Sequence, residues 1–195
     1  TMTMPYSKQI LAFALLFIAI ALFAPLHAQD SLPVASSQTC GATLETLWTA
    51  ASSACINKPG GYVCNGGAAP AAEPVGLVGN ALAPTGALVE VAAVDAIRTP
   101  PISTESNSLG VAWMRLPEPN NLTLLLIGAV TMFDVTTPDF PPWTSMIIQT
   151  DPSPPQCSAA PRNAVILQSE GARQIAVNNS SITLNGTMLI ATDDE

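Results

Sequence analysis

Apolar residues recur along this chain at two different periods, and the change falls after residue 56. In GATLETLWTAASSACI, residues 41–56, Leu44, Leu47, Trp48, Ala51 and Cys55 are three or four residues apart. That spacing puts all five on one face of an α-helix. Asn57, Lys58, Pro59 and two glycines follow, a run that ends a helix. DSLPVASSQ, residues 30–38, is polar and expected to be a flexible lead-in. NGGAAPAAEPVG, residues 65–76, has no period and is rich in Ala, Pro and Gly, which predicts a linker or extended arm.

From there the chain breaks into short runs of strand character. ALVEVAAV (87–94) is β-branched and partly alternating, and LGVAWMRL (109–116) is apolar on both faces apart from Arg115. LTLLLIGAVTMFDV (122–135) is interrupted by Gly128 and predicts two buried strands or one bent strand. WTSMIIQT (143–150), NAVILQ (163–168) and RQIAVN (173–178) are three more, with SEGA between the last two at hairpin-loop length. SITLNGTMLIAT (181–192) contains Asn185-Gly186, a strong two-residue turn signal; the competing reading is one long strand with a bulge. A turn there would put Ile182, Leu184, Leu189 and Ala191 on one face.

Proline-rich joints, RTPPIS, PDFPPW and DPSPPQ, separate these runs. Proline donates nothing to a ladder, so the joints mark corners and edges. Many short strands with such joints predict a mainly β fold, an antiparallel sandwich or barrel preceded by one short helix. The expected organisation is a leader at 1–28, a helical cysteine-containing segment and linker at 29–75, and a β-rich domain from 76. The chain ends in ATDDE directly after a strand-like run, and the β domain is expected to continue beyond residue 195.

The N-terminus changes the picture by setting the compartment. Lys8 precedes ILAFALLFIAIALFA (10–24), and then come Pro25 and Ala28. This is the build of a secretory signal peptide cut after Ala28; the apolar run falls short of the ~20 residues that span a bilayer. The alternative is an uncleaved anchor. Export changes how the four cysteines, Cys40, Cys55, Cys64 and Cys157, are read. None has zinc-knuckle spacing, there is no CxxC, and the only histidine, His27, lies in the leader. Two disulfides are expected. Three pairings exist, and the preferred ones join Cys40 to Cys55 or to Cys64 and send the remaining cysteine to Cys157.

Charge narrows the partners. After the leader, five basic residues face fourteen acidic ones, a net charge of −9. No basic patch can be built from so few cations, so nucleic acid and anionic membrane surfaces are not expected partners. No membrane span is expected once the leader is gone.

The chemistry is thinner still. Without histidine there is no Ser-His-Asp or Cys-His mechanism, and Lys58 is read as a solvated turn residue rather than a base. Glycoside hydrolysis needs only two carboxylates; Glu118, Asp134, Asp139 and Asp151 lie near strand ends, with Trp113 and Trp143 as candidate sugar-stacking faces, but no spacing selects a pair. No phosphate loop, metal site or cofactor is expected. Sequons at Asn121, Asn178, Asn179 and Asn185 matter only in a host that glycosylates asparagine.

Two stretches resemble known families. GALVEVAAVDAIRTPPI (86–102), through Asp95, Ile97, Arg98 and Thr99, resembles the GD.IRT strand of FecR-type periplasmic and envelope domains. The cysteine-rich front, FPPWTSMIIQT and ITLNGT together resemble a group of uncharacterised secreted bacterial proteins. The FecR likeness implies a β-structured sensing or scaffolding module. The resulting expectation is a non-catalytic, secreted or envelope-attached module that binds an envelope protein or polysaccharide through exposed apolar residues, Phe140 and Trp143 foremost. The alternatives are a carboxylate-based glycoside hydrolase and a small secreted inhibitor or effector built on the cysteine-bounded loop.

Overall fold

The computed structural model describes residues 34–74, 81–118, 120–178 and 180–192. The leader at 1–28, the start of the lead-in and the acidic end of ATDDE lie outside them. Among the described residues one helix, α1 (Val34–Cys55), is followed by ten strands: β1 (Tyr62–Asn65), β2 (Ala71–Glu73), β3 (Leu88–Glu90), β4 (Ala96–Thr99), β5 (Val111–Arg115), β6 (Leu122–Ile127), β7 (Val130–Asp134), β8 (Met146–Thr150), β9 (Ala164–Val177) and β10 (Ser180–Ala191). They form two wholly antiparallel sheets, ordered β10-β9-β6-β5-β1-β3 and β2-β4-β7-β8. Of the two architectures left open by the sequence, this is the sandwich.

At its centre the six-stranded sheet is covered on both faces, which is why β5 and β6 are apolar at nearly every position. Val63, Ala112, Met114, Leu124, Leu126 and Val165 point toward the four-stranded sheet and meet Ile97, Val130 and Met132 in the main core. Cys64, Val111, Trp113, Leu125 and Ile127 point the other way, where they meet Cys40, Leu44, Ala51 and Cys55 of α1. The order of layers is therefore helix, six strands, four strands.

Gly128 is where the chain changes sheets. β6 ends in the six-stranded sheet and β7 begins in the four-stranded one, so the two-strand reading of 122–135 holds. Gly128 has φ 73°, and a β-carbon there would lie 2.1 Å from the Asn163 side-chain oxygen, so only glycine fits. That oxygen accepts the Ala129 N–H at 2.8 Å. Thr99, buried on β4, locks the crossing: its hydroxyl donates to Gly128 O at 2.5 Å and accepts from Val130 N–H at 3.3 Å.

Several expectations are corrected. The helix starts at Val34, inside the predicted flexible lead-in. As far as residue 74, the described part of 65–76 is no linker: Asn65 closes β1, and β2 pairs with β4. Asn65 is buried because its amide donates to Leu82 O at 2.8 Å and its oxygen accepts Gly67 N–H at 2.9 Å, pinning the returning chain. The predicted strand at 87–94 stops at Glu90 and becomes a 3-10 turn, Val91–Ala93. SEGA is no hairpin loop. It lies within β9, where the register slips between Leu184↔Arg173 and Gly186↔Ser169, and Ser169 Oγ donates to Gly171 O at 2.5 Å. The turn falls instead after Val177, which pairs with Ser180, and Asn178 takes φ 53°; asparagine tolerates that left-handed value. Asn185-Gly186 sits inside β10 next to the slip, the bulged long strand of the competing reading. Leu184 is accordingly buried while Ile182 and Leu189 are exposed.

The disulfides are Cys40–Cys157 and Cys55–Cys64. Both preferred pairings are thus wrong, and the third is formed. The reason is the helix: Cys40 and Cys55 sit at opposite ends of its buried face and cannot meet. Cys55, at its C-terminus, faces Cys64 on β1 across the helix–sheet interface. Cys40, four turns back, faces the loop after β8.

Candidate functional site

The helix covers only part of the sheet it packs on. Beyond its edge, where Gln168, Thr187 and Leu189 are exposed, a groove of about 880 Å³ runs over residues of β5, β6 and β9 to Thr187 of β10. Its lining follows from register alone. Arg115 pairs with Thr123, Thr123 with Gln168, and Gln168 with Thr187, so four polar side chains form one row across four strands. The next row on the same face is Trp113, Leu125, Ile166 and Leu189. A polar ladder thus runs beside an apolar one.

Trp48 of α1 walls the groove. It is 38 % exposed and stacks obliquely on buried Trp113, with ring centroids 5.9 Å apart and planes inclined by 40°. Gly66 makes room beneath: a β-carbon there would lie 2.4 Å from Trp113 Cζ3. Arg115 closes one end. Its guanidinium donates to the carbonyls of Ile56 and Lys58, and its own carbonyl accepts the Gly61 N–H at 2.8 Å. This ties the NKPGG loop to the sheet and leaves further guanidinium N–H groups at the groove. Ser169 and Glu170 lie at the other side.

The residues singled out from sequence fare differently. Trp143 is not a surface residue: it is 0 % exposed, and its indole N–H donates to Val94 O at 2.9 Å and Val91 O at 3.2 Å. An indole with its single donor satisfied is an interior plug, and this corrects its placement on a binding surface. Phe140, three residues earlier, is 61 % exposed in the same proline-rich turn. All four cysteines are bonded. The four carboxylates do not share a cleft. Asp134 accepts the Thr136 and Trp143 N–H groups at 2.8 and 2.9 Å. Glu118 accepts from the Asn121 amide, and Asp139 is exposed beside Phe140. Asp151 accepts the Ser153 hydroxyl and N–H at 2.6 and 2.8 Å; these two bonds, the hydroxyl's first, hold its carboxyl below the ordinary 3.8.

Asp151 also lines a second hollow, about 500 Å³, on the outer side of the four-stranded sheet with Arg98, Thr131 and Gln149. Arg98 Nε donates to Thr131 Oγ1 at 3.2 Å. Among the described residues no three His, Cys, Asp or Glu side chains come together, and no helix is long and apolar enough to cross a membrane.

The helix-side groove was missed in the sequence. Trp48 falls on the predicted buried face of the helix, and the row from Arg115 to Thr187 draws on four strands far apart in the chain. The alternation of Thr123, Gln168 and Thr187 with apolar neighbours was the available sign, but only the pairing register makes it a site. The chain matches no protein-family model, no curated protein and no solved structure.

Proposed function

We propose that this protein is an extracytoplasmic, non-catalytic binding module whose ligand is a polysaccharide held in the groove beside Trp48. The observation that carries this reading is the parallel arrangement of a polar row, Arg115–Thr123–Gln168–Thr187, and an apolar row ending in Leu189, under an exposed tryptophan. A sugar ring has one apolar face and a rim of hydroxyls. Aromatic surface takes the face, and convergent polar side chains take the rim. Arg115, Gln168 and the two threonines supply both donors and acceptors, as hydroxyl recognition requires.

The compartment is supported by two disulfides, which persist where thiols oxidise, and by the leader pattern at residues 1–28. The low charge and acidic balance favour an uncharged ligand over a polyanion. The FecR resemblance points to the same general class, a β-structured module that senses or scaffolds.

Affinity electrophoresis through gels containing neutral or cell-wall polysaccharides tests the proposal. Retardation without release of reducing ends is the expected result. Release of sugar would replace it with the hydrolase reading, and unretarded migration in every glycan, with the tryptophan fluorescence of the chain unchanged, would sink it.

A further inference from the structure

Sheet edges are places where chains aggregate, and natural proteins blunt them. Three of the four edges here are blunted. β2 and β3 have three residues each and carry Glu73 and Glu90, and β8 has five residues between prolines. β10 is the exception. It is twelve residues long, contains no charged residue and no proline, and is paired only on its β9 side among the described residues.

Its sequence has a second property. About Gly186, apolar positions mirror one another: Leu184 against Met188, and Ile182 against Ile190. Of the intervening positions, Asn185 mirrors Thr187 in polarity, whereas Thr183 falls against Leu189 and Ser181 against Ala191. An antiparallel pair of identical strands related by a two-fold axis matches residue i with its mirror. We infer that β10 is the dimer interface of this protein, pairing antiparallel with β10 of a second copy about Gly186, so that two six-stranded sheets become one of twelve.

The backbone is in phase with this pairing. Val177 and Ser180 close a two-residue connection, so they form a hydrogen-bonded pair and the bonds to β9 recur at Ile182 and Leu184. The N–H and C=O groups of Ser181 and Thr183 therefore point to the free edge. A mirror about Gly186 matches Thr183 with Leu189 of the second copy, residues of the same parity. On the inner face Ile182, 38 % exposed, gains Ile190 of the second copy as a neighbour. At the centre Gly186 has no side chain, and nothing lies within 4 Å of where a β-carbon would be. A second copy also meets no like charge along the strand, although each chain carries a net −8.

The consequence reaches the groove, although the dimer does not depend on what the groove binds. A two-fold axis normal to the sheet leaves both helices on the same side. The polar row then runs on from Thr187 to Asn185 of the second copy, and one long channel replaces two short grooves.

Sedimentation velocity and amide exchange on the purified, oxidised chain test this. The expected result is a concentration-dependent dimer in which the Thr183 amide exchanges at least about 100-fold more slowly than in the diluted monomer. Thr183→Pro removes one outward N–H and is expected to yield a monomer with an unchanged far-ultraviolet spectrum. A wild-type chain monomeric at about 100 µM would overturn the inference. So would a dimer with a rapidly exchanging Thr183 amide, because its interface would then lie elsewhere; that measurement stands even if the proline variant does not fold.

Discussion

The Asp134 carboxylate holds the backbone N–H of Trp143 at 2.9 Å. Trp143 has φ 62°, a left-handed value that a bulky residue adopts only when its surroundings compel it. The surroundings here are the Asp134 anchor on one side and the buried indole on the other. Together they swing a proline-rich turn inward and plug the end of the main core. Asp134→Ala removes an acceptor shared by two N–H groups and is expected to lower unfolding free energy by about 1.5–3 kcal/mol. Trp143→Ala is expected to cost about 3–5 kcal/mol. Urea denaturation followed by circular dichroism measures both; an Asp134→Ala variant as stable as the wild type would show that the indole alone holds the turn.

The two disulfides close very different loops, with sequence separations of 117 and 9. In the chain-entropy picture the long one contributes about 5 kcal/mol and the short one about 3 kcal/mol. Cys40→Ser/Cys157→Ser is therefore expected to melt at lower temperature than Cys55→Ser/Cys64→Ser. Peptide mapping without reductant should recover the two linked pairs. A Cys40–Cys64 peptide would contradict the helix–sheet packing described above.

Trp48 offers a way to separate binding from folding. It is partly exposed, and the fold does not close over it. Trp48→Ala is expected to reduce polysaccharide retention at least about tenfold, as loss of a central aromatic contact does, while the cooperative urea transition is kept. Gln168→Ala should weaken retention less. Equal retention by Trp48→Ala and wild type would remove the groove as the site.

Asp151 accepts two hydrogen bonds from Ser153. Hydrogen bonds from Ser153 lower its pKa, so the folded form favours the carboxylate. A depressed acid stabilises the fold above its unfolded pKa, and that contribution is lost as pH falls below 3.8 toward the folded value. Carbon-13 NMR of the side chain should place its midpoint below 3.8, and Ser153→Ala should return it upward. An unmoved midpoint in that variant would assign the shift elsewhere.

Gly110 tests the close approach between chain segments. A β-carbon there would sit 1.6 Å from Pro100 O, a backbone atom with nowhere to retreat. Gly110→Ala is expected to destabilise by more than about 3 kcal/mol, visible as loss of cooperative unfolding. Gly60→Ala, where nothing lies within 4 Å, is the matched control with little effect.

The parts of this fold that were legible are those fixed by local chemistry. The continuous apolar run of β6 and its break at Gly128 announced buried strands and a change of direction, and the three- and four-residue spacing of Leu44, Leu47, Ala51 and Cys55 announced the helix. What could not be read depends on partners distant in sequence. Glu170, Gly171 and Ala172 have the composition of a turn, yet β10 lies alongside and draws them into a bulge. Trp143, in a proline-rich joint, looked like surface until Val91 and Val94 supplied carbonyls for its indole. The cysteine pairing needed the length and facing of α1, which the polar residues before Cys40 concealed.

The long crosslink also sets an order of events in synthesis. Cys55 and Cys64 emerge almost together, whereas Cys40 must wait for Cys157, on the order of 5–20 s later at ordinary elongation rates. During that interval Cys40 is an unpaired thiol, and before the helix forms Cys55 and Cys64 are the partners nearest to it along the chain. Efficient maturation therefore calls for a catalyst that reshuffles thiols, and host strains lacking one should accumulate scrambled, protease-sensitive chains.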